Sequence, residues 1–78
     1  MKYWMEELAL VEAAAQRIQA QEDAAERRFD EVHARAEATG DHARALATQE
    51  FACWMAARHD TDAAWGRWAE VMNARPAA

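Results

Sequence analysis

Apolar side chains recur at alternating steps of four and three residues through the first half of this chain. Residues at these steps lie on one face of an α-helix, so the pattern predicts one helix over residues 3–38. At about 1.5 Å per residue, this helix is roughly 52 Å long, too long to be the buried centre of a 78-residue domain. The stripe consists of Trp4, Leu8, Val11, Ala15, Ile18, Glu22, Ala25, Phe29, Val32 and Ala36.

The strongest break in the sequence is Thr39-Gly40-Asp41. Gly40 suits the left-handed residue that follows a helix end, and the carboxylate of Asp41 suits the N-cap of the next helix. We therefore expect a turn at residues 39–41 and a second helix over residues 42–59.

A second break is expected where polar residues 59–62 interrupt the return arm. Asp60 or Thr61 is a suitable N-cap, and an acidic first turn favours the helix dipole. A third helix then covers residues 62–74. Glu22 of the first helix is expected to be exposed opposite this bend.

If the chain folds back at Gly40, residues whose numbers sum to about 80 lie opposite each other. Phe29 then faces Phe51. Trp54 falls opposite Ala25 and Trp65 opposite Ala15, which pairs large residues with small ones, as core packing requires. The predicted fold is all-α: one domain over residues 1–78, built as a long antiparallel helical hairpin whose return arm is broken into two helices. A compact three-helix bundle is the alternative.

The composition leaves little material for a core. The apolar fraction of 53 % includes 22 alanines, which leaves 19 larger apolar residues, and a single cysteine allows no internal disulfide. Small domains bury a low fraction of their surface and need further support. We therefore expect a homodimer, or another protein, to complete the core.

Charge and hydropathy exclude several classes of function. A net charge of −5 argues against direct binding to nucleic acid or to an anionic membrane, although an acidic mimic of nucleic acid stays an alternative. Glu6 and Glu7 interrupt the apolar start, so no signal peptide is expected, and no window is apolar enough for a membrane span. The lone Cys53 fits a reducing cytoplasm.

Four tryptophans are the most unusual feature of so short a chain. Trp54 fits a core position, whereas Trp4 and Trp68 fall near the open end of the hairpin, where the chain termini converge. Tryptophan is enriched at binding hot spots, and the apolar surface at this end exceeds what one helical seam can bury. The predicted protein-binding residues are Tyr3, Trp4, Met5, Leu10, Trp65, Trp68, Val71 and Met72.

Metal, cofactor and catalytic motifs are not expected. The spacings of His33, His42, His59 and Cys53 match no structural zinc pattern, and helix capping accounts for the acidic residues near Thr61 without calcium. Cys53 has neither a base nor an electropositive setting close in sequence. A metal-binding protein nevertheless stays an alternative.

One local pattern resembles a known repeat. Gly40-Asp41, followed by Ala45-Leu46 and Ala52, resembles the second-helix half of a tetratricopeptide repeat. The resemblance covers less than half of the chain, Ala36 and His33 stand where the repeat has other residue types, and no 34-residue period follows. It implies a shared helix–turn–helix pattern, not membership of that family.

These observations favour a non-catalytic helical module that docks an aromatic surface on another protein. Small proteins of this composition are often regulators or inhibitors, and some of these inhibitors are encoded by viruses. A self-assembling coiled-coil or four-helix-bundle subunit is the main alternative.

Overall fold

The chain is all-helical in a computed structural model that describes residues 2–77, with Lys2 through its backbone only. Helix α1 spans Lys2–Thr39, the short α2 spans His42–Ala45 and α3 spans Gln49–Asn73. Helix α1 packs along α3, and the described chain measures 60 × 15 × 15 Å, the outline of two helices side by side. The all-α prediction is confirmed. Met1 and Ala78, the ends of the predicted domain, lie outside the described residues.

The predicted turn at residues 39–41 is confirmed. Gly40 adopts a φ of +77°, in the left-handed region, where a side chain is disfavoured. The backbone N–H of Asp41 donates to the Ala36 carbonyl at 3.0 Å, which closes the end of α1. The Asp41 carboxylate accepts a hydrogen bond from the Arg44 N–H at 3.3 Å and caps α2.

The return arm is broken elsewhere than predicted. The break expected at residues 59–62 is wrong, because α3 continues through it. Thr61 is buried there, and its hydroxyl donates to the Ala57 carbonyl at 3.0 Å, so this polar side chain is satisfied inside the helix. Glu22, expected to be exposed at the bend, is half-buried beside a continuous helix.

The actual break lies at residues 46–48, between α2 and α3. Thr48 has an extended backbone, and its side-chain oxygen accepts from the Phe51 N–H at 3.2 Å, so Thr48 is the N-cap of α3. Glu50 follows in the first helical turn, where a negative charge favours the helix dipole. The helices predicted over residues 42–59 and 62–74 are therefore replaced by a single turn of helix and one long helix.

Alanines are half of the buried residues in the seam between α1 and α3. Within residues 3–77 none of the larger side chains is fully buried; Phe29, at 7 % exposure, is the most buried aromatic. Small side chains let the two helices approach closely, but a single seam leaves the flanking large residues half-covered. The buried residues are Ala15, Ala25, Phe29, Ala45, Thr61, Ala64 and Val71.

The predicted register is confirmed near the turn. The rings of Phe29 and Phe51 lie 5.3 Å apart between centroids. Trp54, predicted opposite the buried Ala25, stacks on Phe29 at 5.1 Å. Further from the turn, the Trp65 side chain bonds to Gln19. Gln19 lies about one helical turn along α1 from Ala15, the residue predicted to face Trp65.

Among residues 2–77, none of the helices combines the length and apolar character that a membrane crossing requires.

Candidate functional site

The Trp4 side chain joins the start of α1 to the end of α3. Its indole Nε1–H donates to the backbone carbonyl of Val71 at 2.7 Å. The guanidinium carbon of Arg75 lies 5.9 Å from the centre of the indole ring, within the range of a cation–π contact. The Trp4 side chain is half-buried, and both its N–H group and its ring contact other residues of the chain.

The eight residues predicted to bind a partner occupy different parts of the hairpin. Val71 is buried in the seam, and Tyr3, Met5 and Leu10 are 83 %, 63 % and 71 % exposed. At about 100° of rotation per helical residue, Tyr3 and Leu10 share one side of α1, whereas Met5 lies on the other. The half-buried members of the set are Trp4, Trp65, Trp68 and Met72.

A cluster of aromatic rings near the turn was predicted only as core packing. Phe29 contacts Phe51, Trp54 and His33, the last as a stacked pair with centroids 5.8 Å apart. The guanidinium carbon of Arg58 lies 5.8 Å from the centre of the Trp54 ring. Phe51 and Trp54 are half-buried, so the cluster extends from the seam to the surface.

One side of the hairpin combines apolar residues of α3 with acidic residues of α1. The indole N–H of Trp65 donates to Gln19 Oε1 at 3.0 Å, so the Trp65 side of α3 and the Gln19 side of α1 share a face. The same side also holds two arginines: Arg27 of α1 stands four residues after Asp23 and three before Asp30, and Arg58 of α3 lies at seven-residue spacing between Phe51 and Trp65. We define the aromatic–acidic face as Phe51, Met55, Trp65 and Ala69 of α3 with Glu12, Asp23, Glu26, Asp30 and Glu37 of α1.

The opposite side of α1 carries three arginines, with Glu6 and Glu31 interspersed among its residues. Arg17, Arg28 and Arg35 are exposed there at helical spacing, together with the exposed Tyr3 and Leu10. We call these five residues the arginine flank. The helix thus presents a mainly acidic row on one side of its apolar stripe and a row with three arginines on the other, an arrangement that follows from helical periodicity and that the net charge alone does not reveal.

Two indole N–H groups on α3 have no hydrogen-bond acceptor among the described residues. They belong to Trp54 and Trp68, and both nitrogen atoms are buried although their side chains are only half-covered. A buried, unpartnered N–H costs about 1–3 kcal/mol. Trp68 also packs edge-to-face on Trp65, with centroids 5.7 Å apart.

Three potential metal ligands meet across the turn. The ligand atoms of His33, Glu37 and His42 all lie within 4.8 Å of one another. His33 Nε2 and Glu37 Oε1 are 3.7 Å apart, and the rings of His33 and His42 are 6.1 Å apart between centroids. We call these three residues the histidine cluster. Cys53 is exposed on α3 and is not a member.

The histidine cluster adds Glu37 to two histidines, His33 and His42, whose spacing by itself matched no structural zinc pattern. His33 and Glu37 stand at i and i+4, which places both on one helix face. His42 joins them because the chain reverses at Gly40 and α2 runs back beside α1. The available signal was a His–Glu pair spaced by four residues, followed by a glycine turn and a second histidine.

No family model, curated protein or solved structure matches this chain.

Proposed function

We propose that this protein is a non-catalytic helical interaction module, a small regulator or inhibitor that docks its aromatic–acidic face on a partner protein. The observation that carries the proposal is the row of half-buried apolar residues that one two-helix seam leaves uncovered. Phe51, Met55 and Trp65 lie along this row on α3. Aromatic residues and Met are enriched at protein interfaces, where burial in a partner groove supplies most of the binding energy.

The charges beside the row support a basic partner. Five carboxylates of α1 lie on the same face as the apolar residues of α3, where they outnumber the two nearby arginines, Arg27 and Arg58, so the face is acidic on balance. An amphipathic helix with apolar anchors and flanking Lys or Arg is complementary to this surface, because its apolar side meets the aromatic row and its basic side meets the acids. The proposed partner is therefore a protein that presents a basic amphipathic helix.

A matched pair of neighbouring substitutions tests the proposal. Met55 lies on the aromatic–acidic face, whereas the exposed Ala56 points away from it. The wild-type chain, Met55→Glu and Ala56→Glu are used to capture proteins from the source cells. A protein retained by the wild type and by Ala56→Glu, but lost with Met55→Glu, is then purified and titrated against all three chains.

The expected result is a loss of affinity of about 30-fold or more for Met55→Glu, the size of a hot-spot effect, and less than about threefold for Ala56→Glu. Circular dichroism must show the same helix content in all three chains. Equal losses for the two variants, or no protein that distinguishes them, would overturn the proposal.

Self-assembly is the second candidate function, and the opposite charges of the two sides of α1 favour it. The arginine flank of one copy is complementary to the acidic row of another, and such a contact would cover the half-buried apolar residues. Sedimentation equilibrium compares Arg28→Glu, on the flank, with Arg27→Glu, which changes the net charge equally but lies outside the flank, next to Asp23 and Asp30. Assembly predicts a wild-type oligomer that Arg28→Glu dissociates and Arg27→Glu does not. A wild-type monomer throughout the micromolar range would rule out this candidate.

A further inference from the structure

We propose that the histidine cluster binds one divalent transition-metal ion of the zinc class across the hairpin turn. The ligands are one imidazole nitrogen each from His33 and His42 and a carboxylate oxygen of Glu37. The site shares Glu37 with the edge of the aromatic–acidic face, but zinc binding by these three ligands does not depend on the proposed function.

The distance between the two ligands on α1 suits a shared ion. Around a tetrahedral zinc ion with ligands at about 2.0–2.1 Å, two ligand atoms lie about 3.3 Å apart. His33 Nε2 and Glu37 Oε1 are 3.7 Å apart, so a change of a few tenths of an ångström brings them to this separation. The side chain of Glu37 is 57 % exposed, which leaves its carboxylate room to make this adjustment.

The third ligand comes from the other side of the turn. His42 is the first residue of α2 and is exposed, so its imidazole can rotate without disturbing the core. All three ligand atoms already lie within 4.8 Å of one another. Binding therefore requires side-chain adjustment and no rearrangement of the helices.

Packing holds one of the ligands in place before any ion arrives. The His33 ring stacks on Phe29 at 5.8 Å with an interplanar angle of 21°, and Phe29 is 7 % exposed. A ligand whose orientation is fixed by neighbouring groups loses less freedom on coordination. His33 is therefore the anchor of the site, and His42 is the mobile member.

The electrostatic setting also favours a cation. Glu37 and the turn lie at the carboxyl end of α1, where the helix dipole places a partial negative charge. The last turn of α1 carries no basic residue. A divalent ion would thus neutralise both the Glu37 carboxylate and the helix end.

The donor set selects the class of metal. Imidazole nitrogen suits Zn²⁺, Ni²⁺ and Cu²⁺, whereas Mg²⁺ and Ca²⁺ prefer all-oxygen ligands. Three protein ligands leave at least one coordination position for water. Because the ion would tie α2 to α1, its binding would stabilise the turn and raise the unfolding temperature of the chain.

Calorimetric titration of the full, untagged chain with ZnCl₂ tests the site. The expected result is one Zn²⁺ per chain, a rise of several degrees in the unfolding temperature at saturating zinc, and neither effect with MgCl₂. His42→Ala and Glu37→Gln should each weaken zinc binding by about tenfold or more, equivalent to about 1.4 kcal/mol. Both residues are exposed, so circular dichroism should show the wild-type helix content.

Three control variants separate this site from adventitious binding. His59→Ala removes a histidine on α3, Glu31→Gln removes an exposed carboxylate elsewhere on α1, and Cys53→Ser removes the free thiol. Each should bind zinc within about twofold of the wild type. The proposal is overturned if zinc does not bind, if one ion binds two chains, or if a control weakens binding as much as His42→Ala does.

Discussion

The indole N–H of Trp4 and the carbonyl of Val71, 67 residues apart in sequence, form a hydrogen bond of 2.7 Å that joins the two ends of the hairpin. Trp68 lies one turn before Val71 on α3, yet its own indole N–H is buried and has no acceptor within the described part of the chain. Replacement of each tryptophan by Phe therefore removes a hydrogen-bonded indole N–H from Trp4 and an unpaired one from Trp68.

Trp4→Phe is expected to lower the free energy of unfolding more than Trp68→Phe does, by about 1–3 kcal/mol. Both changes shorten an aromatic side chain, but only the first removes a hydrogen bond, whereas the second removes an unpartnered buried donor. Urea denaturation followed by circular dichroism measures the difference. Equal losses would mean that the indole N–H groups do not differ in their contribution to stability.

The two glycines should respond in opposite directions to alanine. Gly66 lies inside α3, and a Cβ added there meets no atom within 4 Å, so Gly66→Ala should stabilise the chain by about 0.4–1 kcal/mol. Gly40 also has free space, but its φ is +77°, so Gly40→Ala should destabilise by about 1–2 kcal/mol. Thermal unfolding of the two variants provides the comparison, and a gain from Gly40→Ala would contradict the left-handed turn.

Substitutions of Thr48 and Thr61 test whether the return arm breaks at residues 46–48, as observed, or at residues 59–62, as predicted. Thr48 caps α3 through the Phe51 N–H, so Thr48→Val should cost about 1 kcal/mol. Thr61 bonds to the Ala57 carbonyl inside α3, and Thr61→Val keeps its shape and changes stability by less than about 0.5 kcal/mol. Chemical denaturation under identical conditions measures both. The reverse order of effects would restore the helix boundary near residue 61.

Local patterns were sufficient to predict α1, the turn and the contact between Phe29 and Phe51. The apolar stripe depends on helical periodicity, and the turn depends on the backbone freedom of Gly40, both of which a sequence shows directly. Their combination determines which residues face each other near the turn.

The capping residues alone did not determine where the return arm breaks. Asp and Thr side chains serve as N-caps, but they are also tolerated in a helix that tertiary packing stabilises. The better signal was an unbroken stripe at steps of three and four that crosses residues 59–62. Its members are Trp54, Ala57, Thr61, Ala64, Trp68 and Val71.

The candidate sites were harder to predict because each depends on the path of the folded chain. The histidine cluster forms only after α2 runs back beside α1, which brings His42 to His33. The aromatic–acidic face joins side chains from two helices whose relative rotation is known only from contacts such as that between Trp65 and Gln19. Periodicity identifies the faces of each helix but not which faces meet.

Phe29 should be the most sensitive large residue of the seam. It is 7 % exposed and contacts the rings of Phe51 and Trp54, so Phe29→Leu should cost about 1–2 kcal/mol through lost aromatic contacts and imperfect packing. Tyr3→Leu removes a ring that is 83 % exposed and should change stability by less than about 0.5 kcal/mol. Denaturant titration measures both, and a Phe29 effect as small as that of Tyr3 would contradict the aromatic cluster.

The five carboxylates of α1 in the aromatic–acidic face, here called the acidic row, should govern the rate at which a basic partner associates. Asp30 belongs to the aromatic–acidic face, whereas its neighbour Glu31 points to the far side of α1. For the partner identified with the Met55 variants, Asp30→Lys should slow association by about tenfold at low salt and reduce its dependence on ionic strength, because charges at the rim of an interface act mainly through electrostatic steering. Glu31→Lys changes the net charge equally but should have a smaller effect, since its charge lies further from the approaching surface. Stopped-flow measurements at several salt concentrations test this, and equal slowing by both variants would mean that net charge, not the acidic row, attracts the partner.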